Sequence, residues 1–403
     1  MWQKIKNYYH FAQAFFSAVY FNFPSRKLIV IGVTGTDGKT TTVNMIAHIL
    51  RESGKNVSMI SSVNAQIDNK NFDTGFHVST PSPFQVQKLL SKALEKRNEY
   101  FILEATSHGL DQNRLALVDF EIAAITNITH EHMDYHKSWD NYVAAKSKLF
   151  KNVKISILNK DDKSFDYFFK KVDGKIISYS QEKDADFNNS KFPIKLQIVG
   201  KYNLSNALAA AAVCTNLGIV KASILKSLNS FPGVIGRMQE VDIGQNFKVF
   251  IDFAHTPNGL KQALQALKNY FKKPSKLITV FGSAGQRDML KRPSMGKVAD
   301  KLADVIVLTS EDPRDEDPKK ICEEISNGIK NKTRDKTLFV IPDRKAAIKF
   351  AIDHAKKGDL IATFGKGHEK SMTIKGKDFP WDEFNVVKEA IKSKIGSDPE
   401  IRK

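Results

Sequence analysis

Ile29-Val30-Ile31-Gly32-Val33-Thr34-Gly35-Thr36-Asp37-Gly38-Lys39-Thr40-Thr41-Thr42 is the stretch that decides the fold of this chain. The apolar run 28–33 predicts a buried strand, and it ends in a glycine-rich turn. Apolar residues then recur at helical spacing until Gly54. A strand, a glycine turn and a helix start are typical of a phosphate-binding loop, because backbone N–H groups of the turn and helix point at the anion.

Within such a loop, Lys39 would neutralise the outer phosphates of a nucleotide and Thr40 would offer its hydroxyl to Mg²⁺. The spacing departs from the strict P-loop pattern, because Val33 stands where that pattern has a glycine. An ordinary glycine-rich loop is the alternative. The flanking strand and helix favour nucleotide binding.

The composition of the 403-residue chain is that of a globular protein with two or three domains. Cys214 and Cys322 lie in apolar, helix-like surroundings, which argues against a disulfide framework or zinc ribbon and fits a reducing cytoplasm. A net charge of +18 would suit a nucleic-acid or membrane partner. The lysines are scattered, however, and form no stripe interleaved with aromatic residues. We therefore expect a solvated surface around sites for anionic ligands and no nucleic-acid partner.

The segment 1–23 has lysines before a short apolar run, as signal peptides do, but the run is too short to span a bilayer. A nucleotide loop just downstream favours a cytoplasmic protein without stable membrane insertion. Five apolar residues share one helical face and predict a packed helix, with a membrane-surface helix as the alternative: Ile5, Tyr9, Ala12, Phe16 and Val19.

Strands and helices alternate along both halves of the chain, on either side of the glycine- and proline-containing segment 231–236. This alternation predicts an α/β fold with mostly parallel sheets, in which a central P-loop-type doubly wound domain precedes a Rossmann-like C-terminal domain. Beyond the first, the predicted strands are 57–62, 100–105, 121–126, 154–159, 249–253, 277–281, 305–309, 338–341 and 360–364. Segment 64–83 is expected to be polar and turn-rich, and segment 161–195 to consist of short strands and loops.

Polar side chains stand at the carboxyl ends of two predicted strands, where ligands collect in parallel sheets. Glu104 ends one strand, and the other runs into the histidine-rich segment 129–136. This pattern suits a divalent metal beside the phosphates, with His132 as the preferred histidine. For any single histidine here, a surface or capping role is the alternative.

Ten motifs in this order resemble the Mur ligases, and most closely the branch that adds the third amino acid of the peptidoglycan stem (the MurE branch). They are Thr-Gly-Thr-Asp-Gly-Lys-Thr-Thr-Thr (34–42), Glu-Ala-Thr-Ser-His-Gly-Leu-Asp-Gln (104–112), Thr-Asn-Ile-Thr-His-Glu-His-Met-Asp-Tyr-His (126–136), Ala-Ala-Lys-Ser-Lys-Leu-Phe (144–150), Gly-Lys-Tyr-Asn-Leu-Ser-Asn-Ala-Leu-Ala-Ala (200–210), Gly-Arg-Met-Gln-Glu (236–240), Asp-Phe-Ala-His-Thr-Pro (252–257), Arg-Asp-Met-Leu-Lys-Arg-Pro (287–293), Ser-Glu-Asp-Pro-Arg-Asp-Glu-Asp-Pro (310–318) and Gly-Lys-Gly-His-Glu (365–369).

The resemblance implies an ATP-dependent ligase that forms an amide through an acyl phosphate, with ATP and Mg²⁺ as cofactors. It implies ATP contacts at Gly35, Thr36, Asp37, Gly38, Lys39, Thr40, Thr41, Asn206, Arg237 and Asp252. It also implies catalytic roles for Lys39, Glu104, His132 and Lys146, with metal binding by Thr40, Glu104, His132 and Lys146, the last as a carbamate. An unmodified Lys146 on a helix surface is the alternative.

The resemblance assigns the acceptor substrate to Ser79, Thr80, Ser107 and Arg114, and the incoming amino acid to Arg287, Asp312, Arg314, Gly365 and Glu369. The diaminopimelate branch carries Asp-Asn-Pro-Arg, whereas this chain has Glu-Asp-Pro-Arg at 311–314. Arg314 favours diaminopimelate, because an arginine grips a distal carboxylate bidentately. Asp312 leaves lysine or another amino acid open.

Two features of the sequence depart from the family pattern. Residues 11–27 resemble the connector helix, and almost nothing precedes them, so we expect that the uridine-nucleotide-binding domain is missing and that a partner protein could supply it. Asp37 replaces a usual asparagine. The predicted domains are thus a connector helix (1–26), a central ATP-binding domain (27–232) and a C-terminal domain (233–403). A ligase for another acid, as in folylpolyglutamate synthases, and a non-catalytic nucleotide-binding partner are the alternatives.

Overall fold

A computed structural model describes residues 2–68, 70–72, 80–129, 131–270, 276–397 and 401. The chain divides into two compact units, Met1–Pro232 and Gly233–Lys403. Each unit has a mainly parallel sheet covered by helices, which confirms the predicted α/β class.

The first unit contains an eight-stranded sheet in the order β4-β3-β2-β5-β1-β6-β7-β8. Its strands are β1 (Ile29–Thr34), β2 (Val57–Ile60), β3 (Ala65–Ile67), β4 (Lys70–Phe72), β5 (Tyr100–Glu104), β6 (Ile122–Ile125), β7 (Ile155–Asn159) and β8 (Lys175–Tyr179). Its helices are α1 (Trp2–Tyr20), α2 (Lys39–Glu52), α3 (Pro83–Glu95), α4 (Ser107–Asp111), α5 (Met133–His136), α6 (Trp139–Ser147), α7 (Phe165–Phe169), α8 (Tyr202–Asn216) and α9 (Lys221–Asn229), with single 3₁₀ turns at Pro24–Lys27 and Lys148–Phe150.

The carboxyl ends of the central strands of this sheet meet at one edge. In the parallel ladders, Val33 of β1 pairs with Glu104 of β5, and Thr34 of β1 pairs with Ile125 of β6. Strand β1 is covered on both faces, which is why its sequence is a continuous apolar run. The loops that follow β1, β5 and β6 are therefore brought together.

The second unit contains a six-stranded sheet in the order β13-β12-β11-β14-β10-β9 and a separate hairpin, β15-β16. The strands are β9 (Gln239–Glu240), β10 (Lys248–Asp252), β11 (Leu277–Phe281), β12 (Val305–Leu308), β13 (Leu338–Val340), β14 (Leu360–Phe364), β15 (Ser371–Ile374) and β16 (Lys377–Pro380). The helices are α10 (Pro257–Tyr270), α11 (Lys291–Leu302), α12 (Pro318–Ser326), α13 (Arg344–Asp353) and α14 (Glu383–Ser397).

Strands appear in both of these segments, as predicted for 161–195 but not for the turn-rich segment 64–83. Strands β3 and β4 form an antiparallel hairpin that extends the first sheet beyond β2, and β8 pairs with β7. Strands β3 and β4 have three residues each, which is too few to show an alternating pattern of apolar and polar residues. They are strands because they pair with their neighbours in the sheet.

The prediction of the packed face of α1 was wrong. Ile5, Tyr9, Phe16 and Val19 are each at least half exposed. The buried face consists of smaller residues, Ala14, Ser17 and Ala18, and α1 packs against α3. Small side chains let two helix backbones approach closely. The face with Ala14, Ser17 and Ala18 therefore packs against α3, and the face with the larger apolar side chains does not. No helix among the described residues is both long and apolar enough to cross a bilayer.

A fully buried ion pair ties the second unit together. Glu383 at the start of α14 accepts from Arg344 Nε at 2.9 Å and from Arg344 Nη2 at 2.6 Å. Arg344 also donates to the carbonyls of Ser310 and Phe364, which lie beyond β12 and at the end of β14. Burial by itself raises the pKa of Glu383, but Arg344 outweighs it and holds that pKa below its ordinary value. The pair therefore stabilises the fold at neutral pH, and this contribution is lost as the pH falls through the lowered pKa.

We expect Glu383→Gln to destabilise the protein by about 3 kcal/mol or more, because it leaves the Arg344 guanidinium buried without its countercharge. Urea unfolding at pH 7 measures this change. Glu389→Gln is the matched control, since Glu389 lies on the same helix in an exposed pair with Lys392. Its expected cost is below about 0.5 kcal/mol. Equal effects of the two substitutions would contradict the importance of the buried pair.

Candidate functional site

The loop between β1 and α2 approaches its neighbours more closely than a side chain allows. Gly35 has φ 146°, and a Cβ there would lie 1.8 Å from Oγ1 of Thr126. Gly38 has φ 83°, and a Cβ there would lie 2.2 Å from Oδ1 of Asn206. Both positions therefore require glycine, for conformation and for space. This is the concave loop at a helix N-terminus that an anion such as a phosphate fits.

Residues that follow β6 hold this loop in place. Asn127 accepts from the Thr36 amide at 2.8 Å through its carbonyl, and from the Asp37 amide at 3.0 Å through its side chain. Thr126 donates its hydroxyl to the Asp37 carbonyl at 2.6 Å. Lys39 curls back, with Nζ donating to the Thr36 carbonyl at 2.8 Å. The predicted ATP residues Thr36 and Asp37 are thus bonded to the segment that follows β6, and residues 39–41 form the first turn of α2.

A buried carboxylate faces the first turn of α2. Glu104 ends β5 and is 1% exposed. Its Oε2 accepts from the Thr40 hydroxyl at 2.9 Å and from the Ser62 amide at 2.8 Å, and its Oε1 accepts from the Ser62 hydroxyl at 2.7 Å. Hydroxyl and carboxylate oxygens are the ligands that Mg²⁺ prefers, so Thr40 and Glu104 fit that cation. The sequence reasoning missed Ser62, although it follows β2 at the same edge of the sheet.

Lys146 of α6 is 1% exposed and points at the glycine loop. Its Nζ donates to the Gly35 carbonyl at 2.6 Å and lies 4.5 Å from the ring centroid of Tyr142. The pKa of Lys146 is well below its ordinary value, mainly because the side chain is buried and secondly because the positive charge of Lys39 is nearby. Lys146 is therefore not the surface lysine of the alternative interpretation, and its surroundings disfavour the charged form of its amine.

His132 sits in a cluster of imidazole and phenol rings. It precedes α5 in a left-handed conformation, with φ 57°, and its Nε2 is 3.8 Å from a carboxylate oxygen of Glu131. Its ring centroid lies 4.8 Å from that of His108 and 6.2 Å from that of Tyr142. Among the described residues no group of three or more His, Cys, Asp or Glu side chains forms a metal site. Metal binding by His132 thus stays a prediction.

Three of the predicted acceptor residues come together beyond β5. The Thr80 hydroxyl lies 2.9 Å from that of Thr106, and Ser107 follows as the buried first residue of α4. Arg114 donates to the Thr80 carbonyl at 3.0 Å and, through Nη2, to Gln112 Oε1 at 2.6 Å. Ser79 lies outside the described residues.

The predicted nucleotide residues of the second unit cluster at the end of β10. Asp252 accepts from the Ala254 amide at 2.8 Å and from the Met238 amide at 2.7 Å. The Arg237 guanidinium lies over the Phe253 ring, 4.4 Å from its centroid. Burial raises the pKa of Asp252, against the opposing effect of Arg237. Asn206, by contrast, belongs to the first unit, beside Gly38.

A buried lysine organises the predicted amino-acid pocket. Lys366 Nζ donates to Asp312 Oδ1 at 2.9 Å and to Glu369 Oε2 at 2.6 Å. Burial alone lowers the pKa of Lys366, but the two carboxylates outweigh it and raise that pKa. Lys366 was missed as a functional residue, although it lies inside the Gly-Lys-Gly-His-Glu motif.

The other predicted residues of this pocket differ in their exposure. Arg314 has φ 54° and is half-buried, and its backbone pairs with Thr373 and Lys375 of the β15–β16 hairpin. Gly365 has φ 103°, and a Cβ there would lie 2.9 Å from a carboxylate oxygen of Glu311. Arg287 is exposed. The structure thus links Asp312 and Glu369 through Lys366 and leaves Arg287 at the surface.

Together, the fold and these clusters define a nucleotide-binding α/β protein of two parallel-sheet units. Two family models match the chain, the Mur ligase middle domain over residues 33–214 and the Mur ligase, glutamate ligase domain over residues 236–367.

The UDP-N-acetylmuramoyl-L-alanyl-D-glutamate–2,6-diaminopimelate ligase of Clostridium botulinum is 37% identical over 94% of this chain and 81% of its own length. The UDP-N-acetylmuramyl-tripeptide synthetase of Borreliella burgdorferi is also 37% identical, over 96% of this chain and 80% of its own. A solved UDP-N-acetylmuramoyl-L-alanyl-D-glutamate–2,6-diaminopimelate ligase superposes with a TM-score of 0.62 at 30% identity, over 91% of this chain and 79% of that one. The chain belongs to the Mur ligase family, whose members are ATP-dependent ligases.

The resemblance seen in the motifs is thereby confirmed. The expectation of a partner protein that supplies an acceptor-binding domain finds no support in these comparisons and is withdrawn.

We expect Gly38→Ala to weaken ATP binding by more than about tenfold, because the new Cβ would displace Asn206 and distort the loop. Calorimetric titration with a non-hydrolysable ATP analogue measures the affinity. Gly54→Ala is the matched control, since Gly54 also has positive φ, 74°, but a Cβ added there would meet no atom within 4 Å. The control should lose about 1 kcal/mol of stability and keep its affinity. Unchanged binding in Gly38→Ala would remove the loop from the nucleotide site.

Proposed function

We propose that the protein uses ATP to join an amino acid, diaminopimelate, to the carboxylate of a muramoyl-dipeptide acceptor in peptidoglycan synthesis. The observation that carries the proposal is the contact of Thr40 with the buried Glu104 at the mouth of the glycine loop. This contact puts cation-binding oxygens beside a phosphate-binding turn. The 37% identity to a diaminopimelate ligase over 94% of the chain supports the substrates. ATP as substrate supports a cytoplasmic location.

The reaction has two steps. A carboxylate oxygen of the acceptor attacks the γ-phosphorus of ATP, and ADP leaves, which gives an acyl phosphate. The amine of the amino acid then attacks the acyl carbon, and phosphate departs from the tetrahedral intermediate while the amine loses its proton. The protein's contribution is to position the reactants and to compensate the charge that moves between oxygens.

The residues of the first unit take the phosphates in this proposal. Backbone N–H groups of the glycine loop and α2 hold the phosphate oxygens, and Lys39 leaves the Thr36 carbonyl to pair with the transferred group. Thr40 and Glu104 would hold Mg²⁺, which would neutralise charge on the phosphates. Thr80, Ser107 and Arg114 hold the acceptor. The environment of Lys146 supports a carbamate, because only a neutral amine adds to carbon dioxide.

We propose that the amino-acid pocket recognises diaminopimelate through Arg314. Asp312 replaces the asparagine of the diaminopimelate branch, yet its carboxylate is engaged by Lys366 and by the Thr373 amide at 3.0 Å. The added negative charge is therefore compensated inside the protein, and it does not argue for a cationic amino acid such as lysine. Arg314 remains the residue suited to a distal carboxylate.

Two alternative functions, a ligase for another acid and a non-catalytic nucleotide-binding partner, are disfavoured for different reasons. The curated relatives at 37% identity carry muramoyl-dipeptide or tripeptide names, which disfavours a folylpolyglutamate-type acid. A non-catalytic nucleotide-binding protein has no need of a buried lysine with a lowered pKa beside a phosphate loop and a buried glutamate.

Lys39→Ala should lower phosphate release by about 100-fold or more, because the transferred phosphoryl group loses its main cation. The assay uses purified protein, ATP, Mg²⁺, UDP-muramoyl-dipeptide and diaminopimelate. Lys55→Ala is the control, since Lys55 lies just beyond α2 in a partly exposed contact 4.0 Å from Glu99. If Lys39→Ala retained substantial turnover, Lys39 would not be the catalytic cation.

Arg314→Ala should raise KM for diaminopimelate about tenfold or more and leave KM for ATP unchanged, because a bidentate contact to the distal carboxylate is lost. Lys375→Ala controls for backbone strain, since Lys375 also has positive φ, 49°. L-Lysine lacks the distal carboxylate, so any activity with it should not respond to Arg314→Ala. An equal rise in KM for diaminopimelate and ATP would exclude Arg314 from the amino-acid pocket.

A further inference from the structure

The N-terminal helix α1 presents a broad apolar face to solvent. At 3.6 residues per turn, eight exposed apolar residues fall on about half of the helix circumference. In order around that half they are Phe11, Phe15, Tyr8, Val19, Ile5, Phe16, Tyr9 and Tyr20, of which Tyr8 and Tyr20 are 76% exposed and Phe16 is 70% exposed. We call these eight residues the aromatic face. Single exposed apolar residues need no explanation, but a contiguous patch of this kind marks an interaction surface.

The aromatic face continues onto the neighbouring helix. Phe84 of α3 is 42% exposed, and its ring lies 5.3 Å from that of Phe21 and 6.4 Å from that of Tyr20. Lys88, one turn beyond Phe84 on α3, and Lys6 on α1 are both exposed. Basic side chains therefore border the apolar surface.

The helix is fixed to the body of the first unit through its other side. Gln3 donates to the Tyr135 hydroxyl at 2.8 Å, and Asn7 donates to the Asp111 carbonyl at 3.0 Å. Ala14 and Ala18 are fully buried. The aromatic face thus belongs to a helix whose opposite side is fixed to the first unit. Another surface could cover this face while α1 stays in place.

The charged side chains of α1 itself have one sign. The first acidic residue of the chain is Asp37, so α1 carries lysines and no carboxylate, within a chain of net charge +18. Tyrosines make up three of the eight residues of the aromatic face, and phenol rings favour the boundary between water and hydrocarbon. An amphipathic helix with aromatic residues on one side and lysines beside them has the properties of an interfacial membrane helix.

We propose that the aromatic face docks on an anionic lipid bilayer surface and lies in the interface without crossing the membrane. Apolar burial supplies the attraction, and the basic surroundings add an electrostatic contribution that salt screens. A second copy of the chain is the competing occupant. It is disfavoured because pairing would bring two chains of charge +18 together. This inference does not depend on the proposed ligase reaction.

Co-sedimentation of the purified chain with vesicles tests the proposal. We expect binding to vesicles that contain phosphatidylglycerol, weaker binding to pure phosphatidylcholine vesicles, and loss of binding as the ionic strength rises. Tyr8→Ser combined with Phe16→Ser should lower the vesicle-bound fraction about tenfold, since two interfacial anchors are removed. Both side chains are largely exposed, so far-UV circular dichroism and ligase activity should stay unchanged.

Phe169→Ser combined with Tyr270→Ser is the matched control, because these exposed aromatic residues, 54% and 56% exposed, lie on other helices. It should bind vesicles like the unmodified chain. Three results would overturn the proposal: no binding to phosphatidylglycerol vesicles, equal binding by both double variants, or a dimer in analytical ultracentrifugation that only the Tyr8/Phe16 variant abolishes. The last result would assign the face to a second copy.

Discussion

The structure of the candidate site depends on the close approach of the glycine loop to the ends of β5 and β6. Gly35 and Gly38 leave no room for a Cβ, so Thr126, Asn127 and Asn206 can contact the loop backbone directly. These contacts fix the loop before any ligand arrives, and a preorganised anion site loses little free energy to ordering when it binds.

That constraint also determines where the charged groups lie. Because β1 pairs with β5 in register, the end of β5 delivers Glu104 next to the first turn of α2. A carboxylate buried at this point would repel phosphates, and a cation between them resolves the conflict. Thr40 and Glu104 fit such a cation, since both side chains carry oxygens of the kind that magnesium prefers.

Much of this could be predicted from the sequence, and the exceptions have physical causes. The alternation of predicted strands and helices indicated both sheets, because hydrophobic periodicity is a property of neighbouring residues. Glu104 could be selected because it stands at the carboxyl end of a predicted strand. The exposed face of α1 could not be predicted, since periodicity identifies an apolar face but cannot say whether another element covers it. The partnership of Lys366 with Asp312 joins residues 54 positions apart, and Ser62 contacts Glu104 from 42 positions away. Such contacts depend on tertiary pairing. The metal role of His132 is a prediction of the family resemblance.

Lys146 lies in the same crowded part of the site and is unusual for a lysine. A protonated lysine with Nζ 2.6 Å from the Gly35 carbonyl, near Lys39, would add a second cation to a site that already has one. Burial penalises that charged form, and the lowered pKa follows. A lysine whose only task was to attract phosphate would be better placed at the surface, where it keeps its proton without cost. Burial therefore favours the neutral form of this amine, and the proposed conversion to a carbamate would replace an unfavourable buried cation with an anion.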